Sequence, residues 1–164
     1  MQTLFTIDIH THILPKNIPD FNKKFGYGEF IYLDHHKHCC AKMMMNDKFF
    51  REVESNCWDA ETRIKECDHN NVNVQVISTV PVMFSYWTKA KDGLEISKFL
   101  NDDLIAVVNK YPKRFVGLGN LPMQDAKLAI QELERIKSLG FKGIQIGSHI
   151  NDLNLDDSCF FPIY

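Results

Sequence analysis

Apolar and polar positions change period several times along the chain, and each change marks an element. Leu4 to Ile9 alternates as a strand that ends at His10. Asp59 to Asn70 reads as a helix, with Asp59 at its cap and Ile64 and Cys67 turned inward. The run VNVQVIS, Val72 to Ser78, alternates again, is rich in β-branched residues and is closed by Pro81. From Leu94 to Tyr111 the apolar residues Ile96, Phe99, Leu100, Leu104, Val107, Val108 and Tyr111 recur with a period of about 3.6, which predicts a long amphipathic helix. Phe115 to Gly119 is a short apolar strand, and Asp125 caps a helix carrying Ala129, Ile130, Leu133 and Ile136 that stops at Gly140. GIQIG, Gly143 to Gly147, reads as a fourth strand, with the start of a further helix near Phe160.

Strands alternating with helices imply parallel βαβ units and an α/β fold. Four such units are the first half of a TIM-like (β/α)8 barrel, which in full takes roughly 250 residues and at least about 200. At 164 residues the chain is expected to form an incomplete barrel, residues 1–164, in a single domain. Residues 20–55 break the rhythm and read as a small β-rich insertion after the first strand. Phe30 to Leu33, Ala41 to Met45 and Lys48 to Val53 are its candidate strands, the last two joined through Asn46-Asp47. A doubly wound nucleotide-binding sheet is disfavoured, since neither G-x-G-x-x-G nor G-x-x-x-x-G-K-[ST] occurs.

Charge narrows the partners. The formal net charge of -2 comes from interspersed acids and bases, so no basic footprint for nucleic acid or an acidic membrane is present. No window approaches the roughly 18 apolar residues of a membrane span. Five cysteines at irregular spacing fit free thiols in a reducing cytosol better than a disulfide framework, so a cytoplasmic, unsecreted protein is expected.

The chemistry concentrates in TIDIHTHILP, residues 6–15. On a strand, His10 and His12 project to one face and can converge on one ion, with Thr11 turned away. Neutral imidazole suits Zn²⁺, whose catalytic sites take three protein ligands and a water. A bare H-x-H is otherwise an ordinary strand end. Other candidates are weaker: His35, His36, His38, Cys39 and Cys40 are dense in soft ligands, but adjacent pairs point to opposite strand faces. His149 sits just past the fourth strand, where it could face a pocket. Trp87 and its aromatic neighbours read as cavity lining or as packing under a loop, and Asp8 as a supporting rather than a ligating group.

The D-x-H-x-H pattern at residues 8–12 resembles the opening of amidohydrolase-superfamily barrels. Adding FGYG (25–28), NCWD (56–59), STVPVMFSYW (78–87), YPKRFVGLGNLPMQ (111–124) and GIQIGSHIN (143–151), the chain resembles the front half of the aminocarboxymuconate-semialdehyde decarboxylase family in one register. That resemblance implies a zinc-dependent, non-oxidative decarboxylation of a dicarboxylate semialdehyde in tryptophan–kynurenine catabolism, limiting quinolinate and NAD synthesis. It implies that His10 and His12 are metal ligands and that Arg51, in KFFREVE, binds substrate. It places the remaining ligands and the proton-transferring His beyond Tyr164, so no catalytic residue is expected within this chain, and it implies a homodimer for the full-length member. Where some relatives carry Lys near the hairpin turn, this sequence has Met45. The alternatives are a non-catalytic truncated isoform that associates with a full-length partner, and a hydrolase of the same superfamily.

Overall fold

The computed structural model describes residues 4–164. In chain order the elements are β1 (Ile7–Ile13), α1 (Phe21–Phe25), β2 (Ile31–Asp34), β3 (Cys40–Met45), β4 (Lys48–Glu54), α2 (Ala60–His69), β5 (Val74–Thr79) and α3 (Ala90–Lys110). They continue with β6 (Phe115–Gly119), α4 (Ala126–Leu139), β7 (Gly143–Ile144), β8 (His149–Ile150) and β9 (Leu153–Asn154). Short 3₁₀ turns lie at Ser55–Cys57, Pro81–Met83 and Ser158–Ile163. The turn at Ser158–Ile163 occupies the place where a further helix is expected from the sequence.

The central sheet has the order β1-β5-β6-β7 with every pairing parallel, as an α/β fold requires. Ile77 and Phe115 turn one face of this sheet toward Leu104, Ile105 and Ile136, and this is the main apolar core. Helix α4 can lie close to β6 because Gly119 has no side chain: a Cβ there would fall 2.4 Å from Cδ1 of Ile136. The helix stops at Gly140, whose φ of 98° is the left-handed conformation that glycine adopts without steric cost.

Strands β2, β3 and β4 form a separate antiparallel sheet within residues 20–55. Asn46 and Asp47, at φ 49° and 58°, make the β3–β4 turn, the left-handed pair that a two-residue hairpin needs. Ala41, Met43 and Val53 pack this sheet against Leu14, Trp58, Ile96 and Leu100 in a second core. The segment is therefore docked on the parallel sheet's body, immediately behind the end of β1.

Two boundaries differ from the sequence expectation for a shared reason. The first strand starts at Ile7, not Leu4, and runs through His12 to Ile13, because its length is set by its partner: Ile7 opposes Val74 and Ile13 opposes Thr79. The fourth strand keeps only Gly143–Ile144 of GIQIG, since β6 ends at Gly119 and offers nothing further to pair with beyond the contact from Gln145 N–H to the Gly119 carbonyl. Ladder length, which is a property of the neighbour, overrides local alternation.

Helix α2 begins at Asp59, whose carboxylate accepts from the Thr62 amide at 2.9 Å and the Thr62 hydroxyl at 2.7 Å. Those Thr62 contacts hold its carboxyl below the usual aspartate range. A depressed folded-state pKa contributes stability that is complete above the unfolded value and is lost as pH falls through the folded one. Asp59→Ala should therefore cost about 1 kcal/mol at neutral pH, and the difference from wild type should shrink in acid, as read by urea denaturation at both pH values.

Among the described residues β1 has a strand on one side only, and Leu4, Phe5, Ile7 and Ile9 are 85%, 70%, 51% and 75% exposed. An apolar open edge is a template for association. Sedimentation velocity should show concentration-dependent self-association that Phe5→Glu reduces. A monomer at every concentration would contradict this.

Candidate metal and substrate site

The site is built around an irregularity in β1. Asp8 opposes Gln75 and Thr11 opposes Ile77, so three residues of β1 advance while β5 advances two. Gln75 and Ile77 share one face of β5, which places Asp8 and Thr11 on that face also. His12 opposes Ser78 on the other face. The extra residue, a bulge at Ile9-His10, removes Asp8 from the face that simple alternation would give it beside the histidines.

The two imidazoles lie 5.2 Å apart by ring centroid, nearly perpendicular. His12 Nδ1 is 3.0 Å from the Thr79 carbonyl and 3.2 Å from Ser78 Oγ. Ser78 gives its own proton to the Thr11 carbonyl, so both contacts at Nδ1 call for a donor there. Nδ1 thus carries the proton, and the Nε2 lone pair is left free, which is the tautomer a metal-ligating histidine takes. Burial lowers the His12 pKa from its ordinary value, the Thr79 contact opposes this, and His10 and Arg63 push it down further. The ring is therefore largely neutral at pH 7.

Both histidines line an open cleft of about 470 Å³ together with Asp8, Cys57, Arg63 and Gln75. Among the described residues no cluster of three or more His, Cys, Asp or Glu is arranged to hold a metal ion. The chemistry of two neighbouring imidazoles, one with Nε2 unengaged, is compatible with a share of a divalent cation's ligand set. Asp8 does not join them: it accepts from Gln75 Nε2 at 3.1 Å and from the His10 amide at 3.3 Å.

Arg51 lies on β4 opposite Met43, two residues before Val53, which opposes Ala41. It therefore shares the face of its sheet that packs inward, although its own side chain is exposed. Arg51 does not itself line the cleft; burial raises the thiol of Cys57, which does, and Arg63, the Glu54 backbone contact and then Arg51 act against that rise. No ion pair engages Arg51 among the described residues.

The remaining candidates separate. His35 Nε2 contacts the Lys16 carbonyl at 2.7 Å and its ring meets Trp58 edge-on, whereas His36 faces Glu52 at 3.4 Å. His149 is exposed beside Ser148, on a second cleft of about 510 Å³ with Phe84, Tyr86 and Gln145. Trp87 packs on Phe30 at 4.8 Å and crosses above Gly28, where a Cβ would fall 2.5 Å from its ring. That contact explains the second glycine of FGYG, Gly28, whereas Gly26 is the left-handed cap that ends α1 at φ 73°. Sequence reasoning missed Arg63, Gln75, Ser78 and Thr79 around the histidine pair. Gln75, a polar residue inside the β-branched run VNVQVIS, was the one local signal for them.

The model of the amidohydrolase family matches residues 7–164, from the first residue of β1 to the end of the chain. The chain belongs to the amidohydrolase family. A 2-amino-3-carboxymuconate-6-semialdehyde decarboxylase of Dictyostelium discoideum is 57% identical over 159 residues, covering 96% of this chain and 44% of that protein. The Caenorhabditis elegans protein of the same name is 46% identical over 96% of this chain and 44% of its own length. The chain thus spans less than half the length of these relatives. A solved dihydroxybenzoic acid decarboxylase from Polaromonas sp. JS666, with bound manganese and 2-nitroresorcinol, shares the fold at a TM-score of 0.69. It is 22% identical, and the match covers 96% of this chain and 44% of that one. Among the described residues no helix is long and apolar enough to cross a membrane.

Proposed function

We propose that this chain is the metal-holding first half of an amidohydrolase-family barrel that decarboxylates a small unsaturated dicarboxylate semialdehyde without oxygen. The observation that carries the reading is the His10–His12 pair at the end of the first parallel strand, with Nδ1 of His12 committed to the Thr79 carbonyl and Nε2 free. The names of the Dictyostelium and Caenorhabditis relatives support the reaction and substrate class. Residues 20–55, between β1 and α2, would be the insertion that brings Arg51 to the substrate; in support, Arg51 lies on β4 and the sheet of β2–β4 packs on Leu14.

His10 and His12 would hold the metal with ligands from the rest of the barrel. The two imidazoles favour zinc, and the manganese of the Polaromonas structure makes that ion the competitor to test. A divalent cation held there would supply Lewis-acid polarisation and an activated water near neutral pH. Arg51 would take a substrate carboxylate through its planar guanidinium, as a bidentate charge-assisted contact. The apolar packing of β2–β4 on Leu14 keeps that sheet, and Arg51 with it, in fixed relation to β1.

A second reading has an observation of its own. The absence of a three-ligand cluster among the described residues, together with the open apolar edge of β1, fits a chain that acts only when paired with another polypeptide.

Two outcomes test the proposal. In equilibrium dialysis the isolated chain should bind Zn²⁺ weakly, and His10→Ala or His12→Ala should remove that binding. Tight stoichiometric zinc retained in both variants would overturn the assignment. The isolated chain should also show no semialdehyde consumption by absorbance, whereas its fusion to the part of the Dictyostelium relative outside the match should. In that fusion Arg51→Ala should leave the metal content unchanged and lower kcat/KM by roughly ten- to a hundredfold, about 1.5–3 kcal/mol for one charge-assisted contact. Unchanged kinetics would take Arg51 out of the site.

A further inference from the structure

Arg63, on α2, is the group around the histidine pair whose presence costs most to explain. Burial pulls its guanidinium below its ordinary pKa, and its three hydrogen bonds all go to neutral acceptors. Nη2 donates to the His12 carbonyl at 2.6 Å, Nε to the Asn56 carbonyl at 2.9 Å, and Nη1 to Gln75 Oε1 at 3.3 Å. A half-buried cation without a carboxylate in contact is a poor way to dock a helix on a sheet, because an apolar side chain would do so without partly desolvating a charge. What an apolar residue cannot do is hold three acceptors from three different segments at once.

Those three segments are the parts of the proposed site. The first arm fixes the main chain at His12 directly. The second reaches His10 by relay: Arg63 orients the Gln75 amide, Gln75 Nε2 donates to Asp8 Oδ2 at 3.1 Å, and Asp8 Oδ1 accepts the His10 amide at 3.3 Å. The bulge at Ile9-His10 is thereby held from both ends, carbonyl at His12 and amide at His10. The third arm grips Asn56 in the 3₁₀ turn Ser55–Cys57, which follows directly from the strand that bears Arg51.

We infer that Arg63 is the positioning residue of this site, setting the spacing of the His10 and His12 rings and their relation to the strand that carries Arg51. The inference rests on the reading of the histidines as metal ligands. Lysine preserves the charge but is a single flexible point donor, so it cannot replace the planar fork that serves three acceptors.

Mn²⁺ serves as the probe, because paramagnetic broadening of histidine ring signals reports even weak binding in the chain as it stands. In wild type the His10 and His12 ring signals should broaden ahead of the other histidines. Arg63→Lys should raise the Mn²⁺ concentration required by about tenfold or more, the scale typical of groups that orient metal ligands. Gln75→Leu, which cuts the relay to Asp8 and removes one of Arg63's three acceptors while leaving those at His12 and Asn56, should shift it in the same direction by less and keeps the inference testable if the Arg63 variant fails to fold. Ile136→Val, in the core away from the cleft, should lower thermal stability and leave the Mn²⁺ midpoint at its wild-type value. Midpoints for Arg63→Lys and Gln75→Leu equal to wild type, or an Ile136→Val shift as large as theirs, would overturn the positioning role while leaving the metal reading intact. Absence of selective broadening at His10 and His12 in wild type would overturn both.

Discussion

The parallel pairing of β1 with β5 is the constraint on which the rest of the site depends. A strand alone sets only which residues alternate, whereas the ladder decides where that alternation is broken. Because Asp8 opposes Gln75 and Thr11 opposes Ile77, one extra residue is absorbed at Ile9-His10. The bulge leaves His12 over Ser78 and the Thr79 carbonyl, within reach of its Nδ1, and sends Asp8 to the face occupied by Gln75. Bulges next to functional groups re-aim side chains in this way, at the cost of a locally interrupted ladder. Here the interruption is compensated by side chains: Asp8 accepts from the His10 amide and Arg63 donates to the His12 carbonyl.

That compensation shows what a sequence can and cannot state about such a site. That the two imidazoles lie together was legible, because residues one apart at a strand end are neighbours in space whatever the strand packs against. Helix α2 was legible from Asp59, and the β3–β4 hairpin from Asn46-Asp47, since both depend on residues adjacent in sequence. The face assignment of Asp8 was not, because a bulge is specified by the register with β5, some 65 residues away in the chain. Arg63 was illegible for the same reason. In AETRIKECDH it looks like one more charged residue on a helix, and only the packing of α2 over β1 and β5 places it against three main-chain and amide acceptors.

The antiparallel sheet of residues 20–55 solves a different problem. A long excursion between a strand and its following helix would be a poor carrier for a substrate-binding charge if it moved freely. Its inward face instead shares a core with Leu14, the residue after β1, and with Ile96 and Leu100 of α3. The Leu14 amide is also bonded to the Cys57 carbonyl at 2.8 Å, so the chain leaving β1 and the chain leaving β4 are tied at one point. The strand bearing Arg51 and the strand bearing the histidines are thereby held in one packed body, as the proposed roles of these residues would require.

The strand that carries the metal-binding candidates is also the open edge of the sheet, and this joins assembly to chemistry. Whatever covers Leu4, Phe5, Ile7 and Ile9 must lie beside His10 and His12. A segment that pairs there would remove apolar surface from water and simultaneously wall the cleft, so on the proposed reading of the histidines it would be placed to bring them further ligands. Binding of the ion and covering of the edge are then linked equilibria: each favours the state that the other requires, and by reciprocity each raises the affinity of the other by the same factor. On the proposed reading, the weak binding expected of a two-histidine site and the exposure of an apolar edge would be two consequences of the same uncovered strand.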